Sequence, residues 1–222
     1  MDDFIRRTTT DAVYEQLHSE IVSLDLLPGT KLSEVDVARR FGVSRQPVRN
    51  AFTKLGNEEL LVIRPQRATE VRGFSMDRVT LARLVRLSVE LEVTRRAIAL
   101  WTPDADAMLQ ENIALQERAI DADDMAQFYA LDYDFHHLIC SLSDNPLAFE
   151  VVLSCKQKVD RLCMLSLTKD RDAKLVLNDH RDIAAGMASG DLDKALATIH
   201  KHLSRLDDTI QLIHETHQAY FE

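Results

Sequence analysis

The stretch that most constrains this chain is residues 33–55, where two short helical patterns flank a glycine. Ser33 is a good N-cap, with Asp36 three residues on in the capping-box position. The segment from Glu34 turns Val37, Ala38 and Phe41 inward. Gly42 stands at the C′ position, where a left-handed backbone suits glycine. Val43 bridges, and Ser44 opens a second helix. On it, Val48, Ala51, Phe52 and Leu55 form an i, i+3, i+4, i+7 apolar stripe. Arg45, Gln46, Arg49 and Thr53 fall on the other side. Pro47 lies in the first turn, where its missing N–H costs little. A capped helix, a tight turn and a one-sided second helix make a helix-turn-helix.

The flanks complete a small domain. Val13, Leu17, Ile21 and Val22 recur at helical spacing, and Leu27-Pro28-Gly29-Thr30 breaks that helix. Leu61-Val62-Ile63-Arg64 and Thr69-Glu70-Val71-Arg72 read as two short strands, joined through Pro65-Gln66-Arg67-Ala68. Three helices and a β-hairpin in this order predict a winged helix-turn-helix over residues 1–75.

Charge supports a nucleic-acid role only when read locally. The whole chain carries a net charge of −9, which argues against such a role. Residues 1–75, however, hold 11 basic and 11 acidic residues, so all the excess acid lies beyond them. Residues 39–72 hold 8 basic against 3 acidic side chains, a footprint that a phosphate backbone could read. Arg45 and Arg49, one turn apart, suit the two acceptors on a guanine edge, and Gln46 suits adenine. The Ser44 hydroxyl suits a phosphate. Arg40 belongs to the same basic segment, and Arg67 at the hairpin tip would reach the next minor groove. A basic helix face standing alone is more often merely solvated. The capped helix pair, the Gly42 turn and the basic hairpin together favour DNA.

From Met76 onward the pattern is helical throughout. Thr102-Pro103, Asp144-Asn145-Pro146 and Ser189-Gly190-Asp191 mark stops and restarts, and a softer break is expected near Asp170. The reading for 76–222 is an all-α antiparallel bundle of about six helices. The fold class is therefore mainly α.

Histidine is the notable residue of this second region. Asp132 and His136 stand i, i+4 on a helix with Phe128, Leu131, Phe135 and Ile139, which sets carboxylate and imidazole on one face. A buried Asp and His need partners or a metal. Taken alone, the pair is most simply a satisfied Asp–His hydrogen bond. His180 and His202 lie on two later helices joined by the Ser-Gly-Asp turn, and each could aim an imidazole at the same point. Three histidines and one carboxylate would suit a borderline divalent metal, zinc first, nickel or manganese otherwise. Open coordination positions would then admit the carboxylate of a small organic acid. Asp134 is a weaker rival to Asp132. His137, His200, His214 and His217 read as surface or supporting residues. Arg86 sits in a mostly apolar helix and would need an anion if it points inward; Glu90, four residues on, is one.

Other classes fall away. Cys140, Cys155 and Cys163 have no CxxC spacing and read as buried thiols in a reducing compartment. The first 15 residues carry six charges and no apolar core, and no run approaches the roughly 18 apolar residues of a membrane span. A cytoplasmic protein with no membrane partner is expected. Catalysis is not expected: a metal with an open position could activate water, but no general base is evident beside it, and the Arg45–Arg49 helix would be left without a use.

The run Leu27 to Leu55, "LPGTKLSEVDVARRFGVSRQPVRNAFTKL", resembles the GntR superfamily of bacterial transcription regulators through Pro28-Gly29, Leu32-Ser33-Glu34, Ala38, Gly42-Val43-Ser44-Arg45 and Pro47-Val48-Arg49. That resemblance implies a homodimer on palindromic operator DNA, with base contacts from Arg45 and Arg49. Val35, Asn50, Glu59 and Ala68 depart from the family's usual residues. The runs Leu131–Leu147 and Asn178–Leu203 resemble the FCD effector domain of the FadR-type subfamily. This second resemblance implies an FCD-like bundle with a metal held by Asp132, His136, His180 and His202. It also implies a contact from Arg86 to the carboxylate of a small metabolite. Asp179 stands where the family commonly has Glu. The combined expectation is a dimeric, acid-responsive regulator. The alternatives are a DNA-binding protein with a purely structural metal site and, remotely, a metal-dependent hydrolase.

Overall fold

The computed structural model describes residues 8–65, 67–166 and 173–222. The expected break near Asp170, Gln66 of the hairpin loop and the charges before Thr8 lie outside the described residues. The chain divides into two compact units. One runs to Met76 and takes in His217–Glu222; the other is Asp77–Thr216. Residues 217–222, expected with the bundle, thus belong with the first unit.

In the first unit, α1 (Thr9–Val22), α2 (Glu34–Phe41) and α3 (Arg45–Asn57) pack around Leu17, Ile21, Val48, Phe52 and Leu55. Each such fully buried side chain contributes roughly 1.5–3 kcal/mol. The Thr8 side chain and Asp11 close a capping box on α1. Ser33 caps α2 by accepting from Asp36 N–H, without the reciprocal half expected of a capping box. Gly42 ends α2 with φ +65°, as its C′ position requires. Ser44 occupies the N-cap of α3, but its side chain makes no cap hydrogen bond.

The wing differs in detail from a plain hairpin. A strand β1 (Lys31–Leu32) joins β2 (Leu61–Val62) and β3 (Thr69–Val71) in an antiparallel sheet of order β1-β3-β2. Gly29 makes it possible. Its positive φ turns the chain so that Gly29 N–H donates to Val71 O and Val71 N–H to Thr30 O, both at 2.9 Å. Two residues are too short a run for alternation to register.

The second unit contains α4 (Met76–Ala99, from Asp77), α5 (Pro103–Asp121), α6 (Met125–Leu142), α7 (Ala148–Cys163), α8 (Ala173–Ala188), α9 (Leu192–Ser204) and α10 (Asp207–Thr216). Seven helices among the described residues replace the expected six or so. Leu206 lies between α9 and α10. There Arg205 N–H reaches back to His202 O, the i−3 bond of a tightened last turn. Helix α5 packs on α6 and α8, α8 on α9, α6 on α7, and α7 on α10. Phe135, Ile139, Ile183, Met187 and Ile199 fill the centre.

Candidate functional site

The DNA-facing candidates lie on α2, α3 and the wing. Arg45 and Arg49 are exposed and converge on one carboxylate. Arg45 Nη2 donates to Glu34 Oε2 (2.8 Å), and Arg49 donates through Nε to Oε1 (3.1 Å) and through Nη2 to Oε2 (3.0 Å). The two guanidinium groups hold the Glu34 carboxyl down to about 2. Gln46 Nε2 donates to Asn50 Oδ1 at 3.0 Å. Arg40 is committed elsewhere. Its guanidinium grips the mostly buried Glu20 of α1 and lies over the Phe41 ring. Arg40, Arg45 and Arg67 nonetheless line one groove, about 730 Å³, between α2, α3 and the wing. Arg67 and Ala68 are exposed at its edge. The sequence reading did not foresee Glu34 as the residue that gathers both arginines.

In the bundle, Asp132 and His136 on α6, His180 on α8 and His202 on α9 are all buried. One potential ligand atom from each lies within 4.8 Å of the others. Asp134 is exposed, so α6 presents Asp132 inward rather than its rival. Helical spacing explains α6. Gly190 at φ +70° and the Asp191 cap fold α9 back against α8, which brings His202 to His180 with ring centroids 4.9 Å apart. Phe135 stacks on His180 at 4.1 Å and fixes its ring plane. His137 and His200 are exposed, and neither they nor His214 and His217 join the cluster.

Each of the four has a polar partner on its far side, as metal ligands characteristically do. Asp132 Oδ2 accepts from Lys156 Nζ at 2.9 Å, while Oδ1 lies 3.4 Å from His180 Nε2 and 3.8 Å from His136 Nε2. His136 Nδ1–H donates to Glu90 Oε2 at 2.7 Å. His180 Nδ1 pairs with Gln116 Oε1 at 2.8 Å. His202 Nδ1 lies 3.6 Å from Asp179 Oδ2, and Asp179 is itself gripped by Arg205. Burial alone would raise the Asp132 carboxyl, but Lys156 and the three imidazoles outweigh it and hold it far below the usual range. Burial pushes His180 and His202 well toward the neutral form that a metal requires.

Whether the set suits a metal can be judged from its unused atoms. His180 Nε2, 3.4 Å from Asp132 Oδ1, is buried without a hydrogen-bond partner among the described residues; His202 Nδ1 also lacks one, but it is the nitrogen turned toward Asp179. A buried polar atom left so costs about 1–3 kcal/mol. Three imidazoles and a carboxylate are a donor set for a borderline divalent ion, so these residues could hold one. Arg86 is the complication. It donates to Glu90 (2.6 Å), and its Nη2 lies 3.1 Å from His136 Nε2. With His136 Nδ1 protonated toward Glu90, Nε2 accepts from Arg86, so the guanidinium and a metal would compete for that nitrogen. Glu90, Gln116, Lys156 and Asp179 are the supporting residues. The sequence offered Glu90 through its i, i+4 spacing to Arg86, and marked Asp179 only as a departure from the family's usual Glu; Gln116 and Lys156 carried no signal.

Comparison with known proteins agrees with this layout. Residues 9–71 match the model of "Bacterial regulatory proteins, gntR family", and residues 83–205 match the FCD domain. The chain is 34% identical to the HTH-type transcriptional repressor RspR of Escherichia coli K12, over 94% of this chain and 92% of that one. It is 23% identical to the gluconate operon transcriptional repressor of Bacillus subtilis 168, over 93% and 86%. A transcriptional regulator structure from Rhodococcus sp. RHA1 shares the fold, with a TM-score of 0.70, 22% identity and coverage of 94% and 98%. E. coli McbR/YncC does so with a TM-score of 0.68, 20% identity and coverage of 94% and 98%. No helix among the described residues is long and apolar enough to cross a membrane. The family and these relatives are regulators rather than enzymes. The chain belongs to the GntR family of bacterial regulatory proteins, and it is a DNA-binding transcriptional regulator with an FCD domain.

Proposed function

We propose that the protein is a metal-dependent, acid-responsive repressor that binds a palindromic operator as a homodimer. The observation that carries the bundle's part is the convergence of Asp132, His136, His180 and His202, with the Nε2 of His180 buried and unbonded among the described residues. These four would hold zinc, with nickel or manganese as alternatives. A bound ion of this kind would offer an open coordination position to a carboxylate. Arg86 supports the acid reading from a second side. It lines a cavity of about 260 Å³ together with Arg83, Leu87, Val159, His200 and Leu203, between α4, α7 and α9. A small carboxylate metabolite with an apolar body fits that mixture of cation and hydrocarbon.

On the DNA side, Arg45, Gln46 and Arg49 would read base edges, while Arg40, Ser44 and Arg67 would serve the phosphates and the minor groove. Repression is the sense given in the names of the E. coli and B. subtilis relatives. Regulation follows from linkage. An acid that binds the DNA-competent and incompetent dimers unequally must shift operator affinity, by about 5–150-fold for a coupling of about 1–3 kcal/mol.

Metal analysis of the purified wild type beside His136→Ala tests the reading. About one metal ion per chain, lost in the mutant, supports it; a metal-free wild type purified without chelators overturns it. A second reading keeps the metal as structural only, favoured by the engagement of Arg86 with Glu90 and His136. A thermal-shift screen of small carboxylates on the metal-loaded protein separates the two, since the structural reading requires no response.

A further inference from the structure

Helix α5 supplies none of the four candidate ligands, yet it buries two amides, Asn112 and Gln116, one turn apart. A buried amide is costly unless bonded, and these two are bonded in one continuous line. Asn112 Nδ2 donates to the carbonyl of Leu131 at 3.1 Å, Gln116 Nε2 donates to Asn112 Oδ1 at 2.6 Å, and Gln116 Oε1 meets His180 Nδ1 at 2.8 Å.

The line has only one consistent direction. A backbone carbonyl can only accept, so Asn112 must turn its NH₂ toward Leu131 and its oxygen toward Gln116. Gln116 must then donate to that oxygen and present its own oxygen to the imidazole. His180 must therefore donate from Nδ1. The far nitrogen, Nε2, lies 3.4 Å from Asp132 Oδ1 and has no hydrogen bond among the described residues. We infer that Asn112 and Gln116 are positioning residues that fix His180 in its Nδ1–H tautomer and aim the Nε2 lone pair at the ligand cluster. The relay begins at the carbonyl of Leu131, next to Asp132, and ends on His180, so one line ties two ligand-bearing helices through a third. A free imidazole in water divides its proton between both nitrogens. The relay removes that choice before any ligand arrives, in the way outer partners set ligand orientation.

The inference rests on the metal reading for its purpose but not for its first test. Long-range proton–nitrogen NMR of the ¹⁵N-histidine-labelled full chain, stripped with EDTA, reports the tautomer directly. The Nδ1–H pattern for His180 is expected in the wild type, and loss of that pattern in Gln116→Met. An Nε2–H ring in the wild type, or an unchanged tautomer in Gln116→Met, overturns the inference whatever the metal does. The second test is zinc affinity by competition with a chromophoric chelator. Gln116→Met should weaken binding about 10–100-fold. Equal zinc affinity in wild type and Gln116→Met also overturns the role. A wild type that binds no zinc overturns the metal reading instead and leaves the tautomer result standing. Gln116→Met keeps the side-chain volume; should it unfold, Asn112→Leu, one bond further from the ring, is carried through the same two measurements.

Discussion

Glu34 holds Arg49 by two hydrogen bonds, from Nε and Nη2, at 3.1 and 3.0 Å. The carboxylate stands at the first position of α2, where it also complements the helix dipole, and it collects Arg45 as well. Two long cationic side chains are thereby arranged before DNA arrives.

Glu34→Gln should therefore loosen both arginines while adding one unit of local positive charge. Affinity for a random duplex should rise and its salt dependence steepen, because non-specific binding is read through phosphates. Discrimination between operator and random duplex should fall. Arg49→Ala, by contrast, should cost about 1–3 kcal/mol on the operator. Fluorescence anisotropy over a salt series measures all of these; unchanged discrimination in Glu34→Gln would count against the arrangement. The Glu34 carboxyl is lowered to about 2, first by Arg49 and then by Arg45. Its contribution is complete above the ordinary glutamate value and fades only as pH falls toward 2. Between about pH 5 and 8 the clamp should not change operator binding.

Arg86 makes a different test. It is buried against Glu90 and His136, so its removal leaves a buried carboxylate with one partner fewer, at about 3–5 kcal/mol. Arg86→Gln should lower bundle stability and abolish the thermal shift given by carboxylates, while zinc binding is retained or tightened because His136 Nε2 is released. A carboxylate response that survives in Arg86→Gln would remove this residue from effector binding.

Much of this was legible in the sequence where one local rule governs. Gly42 at its positive φ, the Val48–Leu55 stripe, and Asp132 with His136 follow from helical spacing and cap chemistry alone. The inward turn of Asp132 over Asp134 follows from the face that Asp132 shares with Phe128, Leu131 and Phe135. What escaped depends on residues far apart. Strand β1 exists only because β3 accepts it. Gln116 and Lys156 look like ordinary polar residues until packing buries them beside His180 and Asp132. The α9–α10 break carries neither Gly nor Pro, and Arg205 is drawn to Asp179 across the bundle.

The segment 217–222 is held by a narrow fit at Gly73. Phe74 N–H donates to Tyr220 O (2.8 Å), Glu222 N–H to Phe74 O (2.9 Å), and the Phe74 and Phe221 rings meet at 5.7 Å. A Cβ on Gly73 would stand 2.9 Å from Tyr220 O, closer than carbon and oxygen tolerate. Gly73→Ala should release this segment, seen as faster amide exchange at Phe221 and Glu222 and as new proteolytic cleavage after Tyr220. Protection equal to the wild type would show that the backbone absorbs the extra carbon.

Gly186 links packing to the metal reading. It faces α9 so closely that a Cβ would lie 3.1 Å from Ala195 Cα and 3.3 Å from its Cβ and N. Helix α8 carries His180 six residues before this contact, and α9 carries His202 seven residues after it. Gly186→Ala needs only a few tenths of an ångström and should be mild. Gly186→Val must push the helices apart, at about 1–3 kcal/mol of overpacking, and the same displacement separates His180 from His202. Bundle stability and zinc affinity should then fall together in Gly186→Val, with both changes small in Gly186→Ala. Calorimetric melts with and without EDTA resolve the two effects: the wild type should lose stability on metal removal, about 2.7 kcal/mol if zinc stood at 100 times its Kd, and Gly186→Val should lose less. An EDTA effect equal in both proteins would mean that the α8–α9 spacing does not set the site.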